Sequence, residues 1–540
     1  MASKIEQNAE DIGPDKVIKV NLDAEVQSQR NYFPNSYSEL NNRKIDMDTD
    51  KEEIQALEQK IISEGDESSS PVTFDSILNR IGLGFYHLKV WIIFGFLGCA
   101  DGSESMVLSF TIPIFKKVFN PGYGIEAALG TWVYIGFFIG SLLSGFASDK
   151  FGRRTPVIYS TFLMIVFCLL SAWPPSITVF IIYRTIFGMI DGFFSPLAYT
   201  YMAEVTPAKN RGKYMAMLAI NYSFGEIIAC LIAIITLDDL SSGNWHALLA
   251  WATFPAILAF LSATFFLRES PRYQMVNGKY EQGIKNLNLI YKDNKKTDQP
   301  LMTESEKEEL IQSYEETKRK SQEKEDETQV ATINDLFAGK YAKITIPVWF
   351  NWFTNSLTFY GITYILPTVL DELNQGNNNN NNDDDFTVSS VIWSAIGELP
   401  TTFIVAAIVD LKGFGRKNSM AYSFLLGAAT CLLASIQCPP GLVFWISISK
   451  FFFNLAWTLN FQFTSELYPT KIRGKGIGLA SSFGRIGSII MPTICTALNA
   501  IGPLVPFAMF GITAAISGVL TLMMPYDTAD LQIDVLDMNF

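Results

Sequence analysis

Twelve apolar runs, each long enough to cross a lipid bilayer, dominate this sequence. They lie at 88–112, 128–148, 155–173, 177–202, 214–237 and 246–267, and then at 343–370, 387–409, 419–437, 441–464, 474–498 and 502–525. About 20 apolar residues in a helix span roughly 30 Å of hydrocarbon. No water reaches the backbone there, so each run must satisfy its own N–H and C=O groups, and a helix does so. The predicted fold is an all-α membrane protein with twelve transmembrane helices in two six-helix bundles. Charged residues make up 17% of the 540 residues, against about a quarter in soluble domains. They crowd into the segments between the runs.

Those segments define the expected organisation. Residues 1–80 are polar and acidic and read as a disordered cytosolic tail, with one short helix near Lys51–Ser63. Residues 81–267 form the N-terminal bundle, and 268–342 a cytosolic linker in which the Glu- and Lys-rich stretch Thr303–Thr328 forms solvated helices. Residues 343–525 form the C-terminal bundle and 526–540 a second cytosolic tail. The start, MASKIEQNAEDIG, has no apolar stretch, so no cleaved signal peptide is expected and the first span directs insertion. The run Asn377–Asn382 followed by Asp383–Asp385 is low-complexity sequence after the seventh span.

Loop charges orient the chain. The loops after spans 2, 4, 8 and 10 carry Lys150, Arg153 and Arg154; Lys209, Arg211 and Lys213; Lys412, Arg416 and Lys417; and Lys471, Arg473 and Lys475. The loops after spans 3, 5, 7, 9 and 11 carry no Lys or Arg, and only Lys116 and Lys117, after span 1, depart from the pattern. The positive-inside rule places the basic loops, both termini and the long linker in the cytosol.

The two halves repeat. Glu204-Val-Thr-Pro-Ala-Lys-Asn-Arg211-Gly-Lys213 matches Glu466-Leu-Tyr-Pro-Thr-Lys-Ile-Arg473-Gly-Lys475 at an offset of 262 residues. Asp149-Lys-Phe-Gly-Arg153-Arg154, after span 2, has its counterpart in Asp410…Gly415-Arg416-Lys417, after span 8, with the aspartates 261 residues apart. Two motifs at nearly one offset imply duplicated six-helix units. Parallel repeats of this kind hold a solute site between the halves near the bilayer midplane.

Gly145-Phe-Ala-Ser-Asp149-Lys150-Phe-Gly152-Arg153-Arg154 resembles the signature of the major facilitator superfamily. The repeated E-x-x-P-x-x-x-R-G element and Arg268-Glu-Ser-Pro-Arg272 resemble its sugar-porter-like branch. Ala100-Asp101-Gly-Ser-Glu104, Trp349-Phe-Asn-Trp-Phe-Thr-Asn355 with Phe359-Tyr360-Gly361, and the Trp245 segment look like the synaptic vesicle protein two-related group, which is close to organic-ion and aromatic-acid transporters. The resemblance implies alternating access and a cytosolic gate made by Asp149, Arg153, Arg154, Glu204 and Arg211, repeated as Asp410, Arg416, Lys417, Glu466 and Arg473. In that gate Asp149 would face a helix N-terminus, and Arg153 and Arg154 would both pair with Glu204. The glutamine pairs of hexose porters are missing: Gly225-Glu226 and Asn351-Trp352 stand in spans 5 and 7. His246 follows Trp245 where many relatives have Arg.

An ionisable residue at bilayer depth costs about 2.5–3.5 kcal/mol, so it usually faces a cavity or a partner. Asp101 and Glu104 share a face of span 1, and two carboxylates in low dielectric do not both ionise easily. They are the expected proton-handling pair, with a structural tie to Arg184 as the alternative. Asp191 and Glu226 are further proton or solute candidates, and Asn351, Asn355 and Tyr360 offer hydrogen bonds and stacking in span 7. Glu398, Lys450 and Arg485 are also charged at depth.

No P-loop and no HExxH occurs, so an ATP-driven pump or a hydrolase is not expected, and no cofactor or metal is called for. The six cysteines lie in or beside apolar runs and read as small buried residues. No basic patch interleaved with aromatics points to nucleic acid. The expected partners are the bilayer, a small-molecule solute and protons, for a chain acting as a monomer. The sequence leaves three functions open: a secondary transporter of an organic ion, a sugar or polyol transporter, and a receptor or regulator on a transporter scaffold.

Overall fold

The computed structural model describes residues 72–120, 122–297, 299–324, 336–337, 342–377, 387–408, 415–436, 441–468 and 470–525. The expected helix near Lys51–Ser63, most of the Asn/Asp run, the C-terminal tail, and the side chains of Asp149, Asp410 and Arg473 lie outside the described parts.

A short helix, α1 (Phe74–Ile81), leads into the first six spans: α2 (Phe85–Phe119), α3 (Tyr123–Phe151), α4 (Arg154–Ala172), α5 (Ile177–Val205), α6 (Ala208–Thr236), and a sixth span built from α7 (Trp245–Ala252) and α8 (Phe254–Phe266). A small hairpin, β1 (Leu237–Asp239) with β2 (Ser242–Gly243), joins α6 to α7. The linker contains α9 (Pro271–Val276), α10 (Tyr280–Lys295) and α11 (Glu304–Lys324). The second half consists of α12 (Ala342–Asn377), an eighth span built from α13 (Val388–Ile396) and α14 (Thr401–Ile408), then α15 (Gly415–Ile436), α16 (Gly441–Leu467), α17 (Thr470–Asn499) and α18 (Val505–Leu522).

Eleven segments among the described residues are long and apolar enough to cross a membrane. The twelfth span is α12, whose polar Asn and Thr residues dilute its hydropathy while its 36 residues leave ample length. Within the halves α2 packs along α6, and its counterpart α12 packs along α17, as the repeat requires. The halves meet where α3 lies against α17, α6 against α13, and α2 against α12.

Glycine sets the tightest of these contacts. Gly136 and Gly140 on α3 face Gly188 and Gly192 on α5, each against the other helix's backbone. A Cβ at Gly140 would lie 1.8 Å from the Met189 carbonyl oxygen, and one at Gly192 would lie 2.0 Å from that of Phe137. Small residues four apart let two membrane helices touch backbone to backbone. Gly140→Val is therefore expected to destabilise the N-terminal bundle by about 1–3 kcal/mol through overpacking. The thermal unfolding temperature of the purified protein in detergent measures it.

The polar tail does not run to residue 80. Phe74, Ile77, Leu78 and Ile81 form one buried stripe at helical spacing on α1. Thr73 caps that helix with a hydroxyl that accepts from the Ser76 N–H. Asp75 on α1 pairs with Arg211 at 3.2 Å and Arg272 at 2.5 Å, and the Val72 N–H donates to Glu309 on α11.

Candidate functional site

The repeated loop motifs lie at one end of the bundle, called here the motif end. There Arg153 donates to Glu204 from Nε at 3.1 Å and from Nη2 at 2.8 Å, both to Oε1. Its guanidinium also lies over the Tyr273 ring, 4.7 Å from the centroid. In the second half Arg416 Nε lies 3.2 Å from Glu466 Oε2, repeating the pair.

Arg154 departs from the expectation. Its Nε donates to the Leu267 carbonyl at 2.7 Å and its Nη2 to that of Thr264 at 3.0 Å, at the C-terminus of α8. A cation at that end of a helix satisfies free carbonyls and the helix dipole. Glu269 performs the opposite task for α4, accepting from the Arg153 N–H at 2.8 Å. Arg211, another residue of the expected gate, pairs with Asp75. Lys417 donates to the Met524 carbonyl at 2.9 Å, tying α15 to the end of α18.

The opposite, far end is closed between the halves. Lys116, at the end of α2, pairs at 2.8 Å with Glu372 near the end of α12. Asn499 on α17 donates to both Glu372 oxygens at 3.0 Å. The Tyr364 hydroxyl donates to the Glu126 carbonyl at 3.4 Å.

Between these ends lies a cavity of about 120 Å³ at the seam of the two halves. It reaches from mid-depth, at Asp101 and Tyr360, towards the motif end, at Phe94, Ala198 and Leu218. Its walls are aromatic: Tyr199, Tyr222, Phe359, Tyr360, Trp457 and Phe461. Asp101, Glu398, Asn454 and Arg485 supply the charged and polar groups.

Behind the cavity the charged residues form two buried clusters. In the first, the carboxyl groups of Asp101 on α2 and Asp191 on α5 lie side by side. Two adjoining carboxyls in low dielectric do not both ionise easily, and one proton between them relieves the repulsion. Arg485, from the second half, lies beside Tyr360 and over the Phe137 ring, 3.9 Å from its centroid. Beside this group Glu104 Oε2 pairs with Arg184 Nη1 at 2.5 Å, both almost fully buried. The expected pair of Asp101 and Glu104 is thus rearranged. Three residues apart on a helix, they diverge enough for each to meet a different neighbour on α5.

In the second cluster Lys450 Nζ sits 2.7 Å from Glu226 Oε2 and 2.6 Å from Glu398 Oε1, with all three side chains fully buried. The Ser223 hydroxyl donates to Glu398 Oε2 at 2.9 Å, and the Thr363 hydroxyl to Glu226 Oε1 at 3.3 Å. Glu398 stands at the break between α13 and α14, where Pro400 has no N–H to continue the helix.

Two span 7 candidates lie away from the cavity. Asn351 donates to the Thr521 hydroxyl at 2.8 Å and ties α12 to α18. Asn355, with its amide turned to satisfy both groups, donates to the Phe453 carbonyl at 3.2 Å and accepts from the Trp457 N–H at 3.0 Å. Only Tyr360 of that trio lines the cavity. Asn454, Trp457 and Phe461 form a further wall that no motif marks; only their spacing of three and four residues puts them on one face of α16.

Two bundles of six membrane helices, duplicated loop motifs and a polar cavity on the seam define a major facilitator-type membrane transporter. The sugar (and other) transporter family matches residues 92–540, and the chain belongs to that family. Organic cation/carnitine transporter 7 of Arabidopsis thaliana is 28% identical over 481 residues, covering 85% of this chain and 95% of the relative. Synaptic vesicle 2-related protein of Xenopus laevis is 26% identical over 438 residues, covering 78% and 75%. Among solved structures, the inward open conformation of the xylose transporter XylE from E. coli aligns with a TM-score of 0.64 and 20% identity, covering 84% of this chain and 99% of that one. The fold and the membership of the sugar-porter-like branch, with relatives in the synaptic vesicle group, agree with the resemblance read from the motifs.

Proposed function

We propose that this chain is a secondary transporter that moves a small organic cation by alternating access, coupled to protons through Asp101 and Asp191. The observation that carries this reading is the cavity on the seam: its aromatic walls surround Asp101 and Glu398 at mid-depth. A ring face attracts an organic cation, and a nearby carboxylate fixes its position. The printed name of the Arabidopsis relative, an organic cation/carnitine transporter, points the same way. The proton role rests on the adjoining carboxyls of Asp101 and Asp191, and on one oxygen of Asp191 that has no hydrogen-bond partner among the described residues. The cation would occupy the cavity, the proton the acid pair, and the two would move in linked steps. Glu104 takes a structural part, holding Arg184.

Uptake of radiolabelled organic cations, organic anions and sugars into proteoliposomes, with and without an imposed pH gradient, tests this reading. Cation uptake that responds to the gradient supports it. Sugar uptake alone would favour the polyol reading, and no uptake of any class would favour a receptor.

The motif end is proposed to face the cytosol, from the loop charges. A cysteine placed at Glu309 on α11 is then expected to resist an impermeant thiol reagent added outside, and one at Asn380 to react. The reverse labelling would overturn the orientation.

A further inference from the structure

The triad of Glu226, Lys450 and Glu398 spans the two halves asymmetrically. Glu226 belongs to α6 in the first half; Lys450, on α16, and Glu398, between α13 and α14, belong to the second. The Lys450–Glu226 contact therefore crosses the seam, whereas the Lys450–Glu398 contact does not. Glu398 and Ser223 line the cavity, while Glu226 and Lys450 lie beyond it. By position along their helices Glu226 and Lys450 sit past the middle towards the far end, the end held shut by Lys116 and Glu372, and Glu398 sits at mid-depth. Opening that end must part α6 from α13, which now pack together.

Charge counting makes this contact conditional. Two carboxylates and one ammonium, all ionised, leave one net negative charge buried at bilayer depth, which is costly. One added proton removes it. Before it arrives, both carboxylates bind Lys450, and the Glu226 contact ties the halves across the seam. If the proton sits on Glu226, Lys450 is satisfied by Glu398 within its own half, and nothing charged is left behind when the halves separate. The other titratable groups facing the triad are Tyr222 and Cys230 on α6 and Asp101 on α2. From α12 it is met by uncharged Thr363 and by the Phe359 ring, 5.6 Å from Lys450 Nζ.

We propose that Glu226, Lys450 and Glu398 form a proton-released latch that holds the far end of the two halves together. A carboxylate on Glu226 keeps the seam closed; a proton on Glu226 frees it. This inference rests on the alternating-access reading above, but not on the identity of the solute.

The two glutamates give variants with opposite effects. Glu226→Gln removes the cross-seam ion pair and leaves a balanced Lys450–Glu398 pair, imitating the released state. Glu398→Gln leaves Lys450 with Glu226 as its one carboxylate and strengthens the closure. Both retain a matched buried pair, so both are expected to fold. The far-end separation can be read by electron spin–spin distances between labels at Thr178→Cys on α5 and Ile501→Cys after α17, with the six native cysteines replaced. In the parent protein the long-distance population is expected to grow as pH falls. With Glu226→Gln it should rise about tenfold at neutral pH, an ordinary size for coupling between two sites, and lose its dependence on pH. With Glu398→Gln the short distance should persist further into the acid range. Shifts of the same sign in both variants, or a parent pH response that survives in both, would overturn the latch. A distance that never changes in any protein, at any pH or with transported cation, would instead overturn alternating access.

Discussion

Replacing Asp101 by Asn is expected to abolish uphill accumulation of solute while leaving exchange of solute across the membrane intact. Asn has the shape of a protonated Asp and cannot release the proton. Solute-for-solute exchange needs no net deprotonation, so it continues; accumulation needs the proton to come off on the other side, so it stops. The loss is large, because a gradient of one pH unit can support up to about tenfold accumulation per coupled proton. In reconstituted vesicles the variant should bring internal and external solute merely to equality, whatever pH gradient is imposed. Asp191→Asn should give the same separation of exchange from accumulation, because its carboxyl adjoins that of Asp101 and the two would share the proton. An Asp101→Asn protein that still concentrates solute would move the coupling site elsewhere, with Glu226 as the next candidate.

That partnership between Asp101 and Asp191 marks the limit of what the sequence could show. Hydropathy sets the number and length of the spans, because the cost of a bare backbone in hydrocarbon leaves a chain little choice. The duplicated motifs carry the division into halves, and with it the seam where the cavity lies. Which charged residues meet across the bundle depends on helix rotation and crossing, set by close contacts such as Gly140 on the Met189 carbonyl. No local pattern reports those contacts. Asp101 and Glu104 look like a pair because they are neighbours along one helix. In the folded chain each is claimed by a different residue of α5. Glu226, Glu398 and Lys450 come from helices far apart in sequence, and each was a lone charge until the halves were assembled.

The same reasoning explains Arg154. Beside Arg153 in sequence, it looks like a second partner for Glu204. The turn at Gly152, with a φ of +87° that suits glycine, starts α4 so that consecutive arginines point to different neighbours. One reaches Glu204, and the other caps α8. The motif is thus both a tie between α3 and α5 and a clamp on the sixth span.

Glu104→Gln is expected to destabilise the N-terminal bundle severely, and Arg184→Met in the same chain is expected to restore most of the loss. Arg184 is almost wholly buried, with Glu104 as its ion-pair partner and the rings of Phe180 and Phe187 5.3 and 5.5 Å from its guanidinium carbon. Its Nε and Nη2 have no hydrogen-bond partner among the described residues. Removing the carboxylate leaves a guanidinium that cannot shed its charge, and breaking a buried pair from one side costs about 3–5 kcal/mol. Arg184→Met alone should cost less, because a lone buried carboxyl can take up a proton and become neutral. The double variant replaces the pair by groups of similar bulk with no stranded charge, which is often nearly neutral. Thermal unfolding of the four proteins in detergent gives the coupling term directly. If the losses simply add, the pair is not what holds α2 to α5 at this depth. Uptake by the double variant carries the second half of the test. With Asp101 and Asp191 untouched, proton-driven accumulation should survive. Its disappearance from a well-folded double variant would return Glu104 to the proton path.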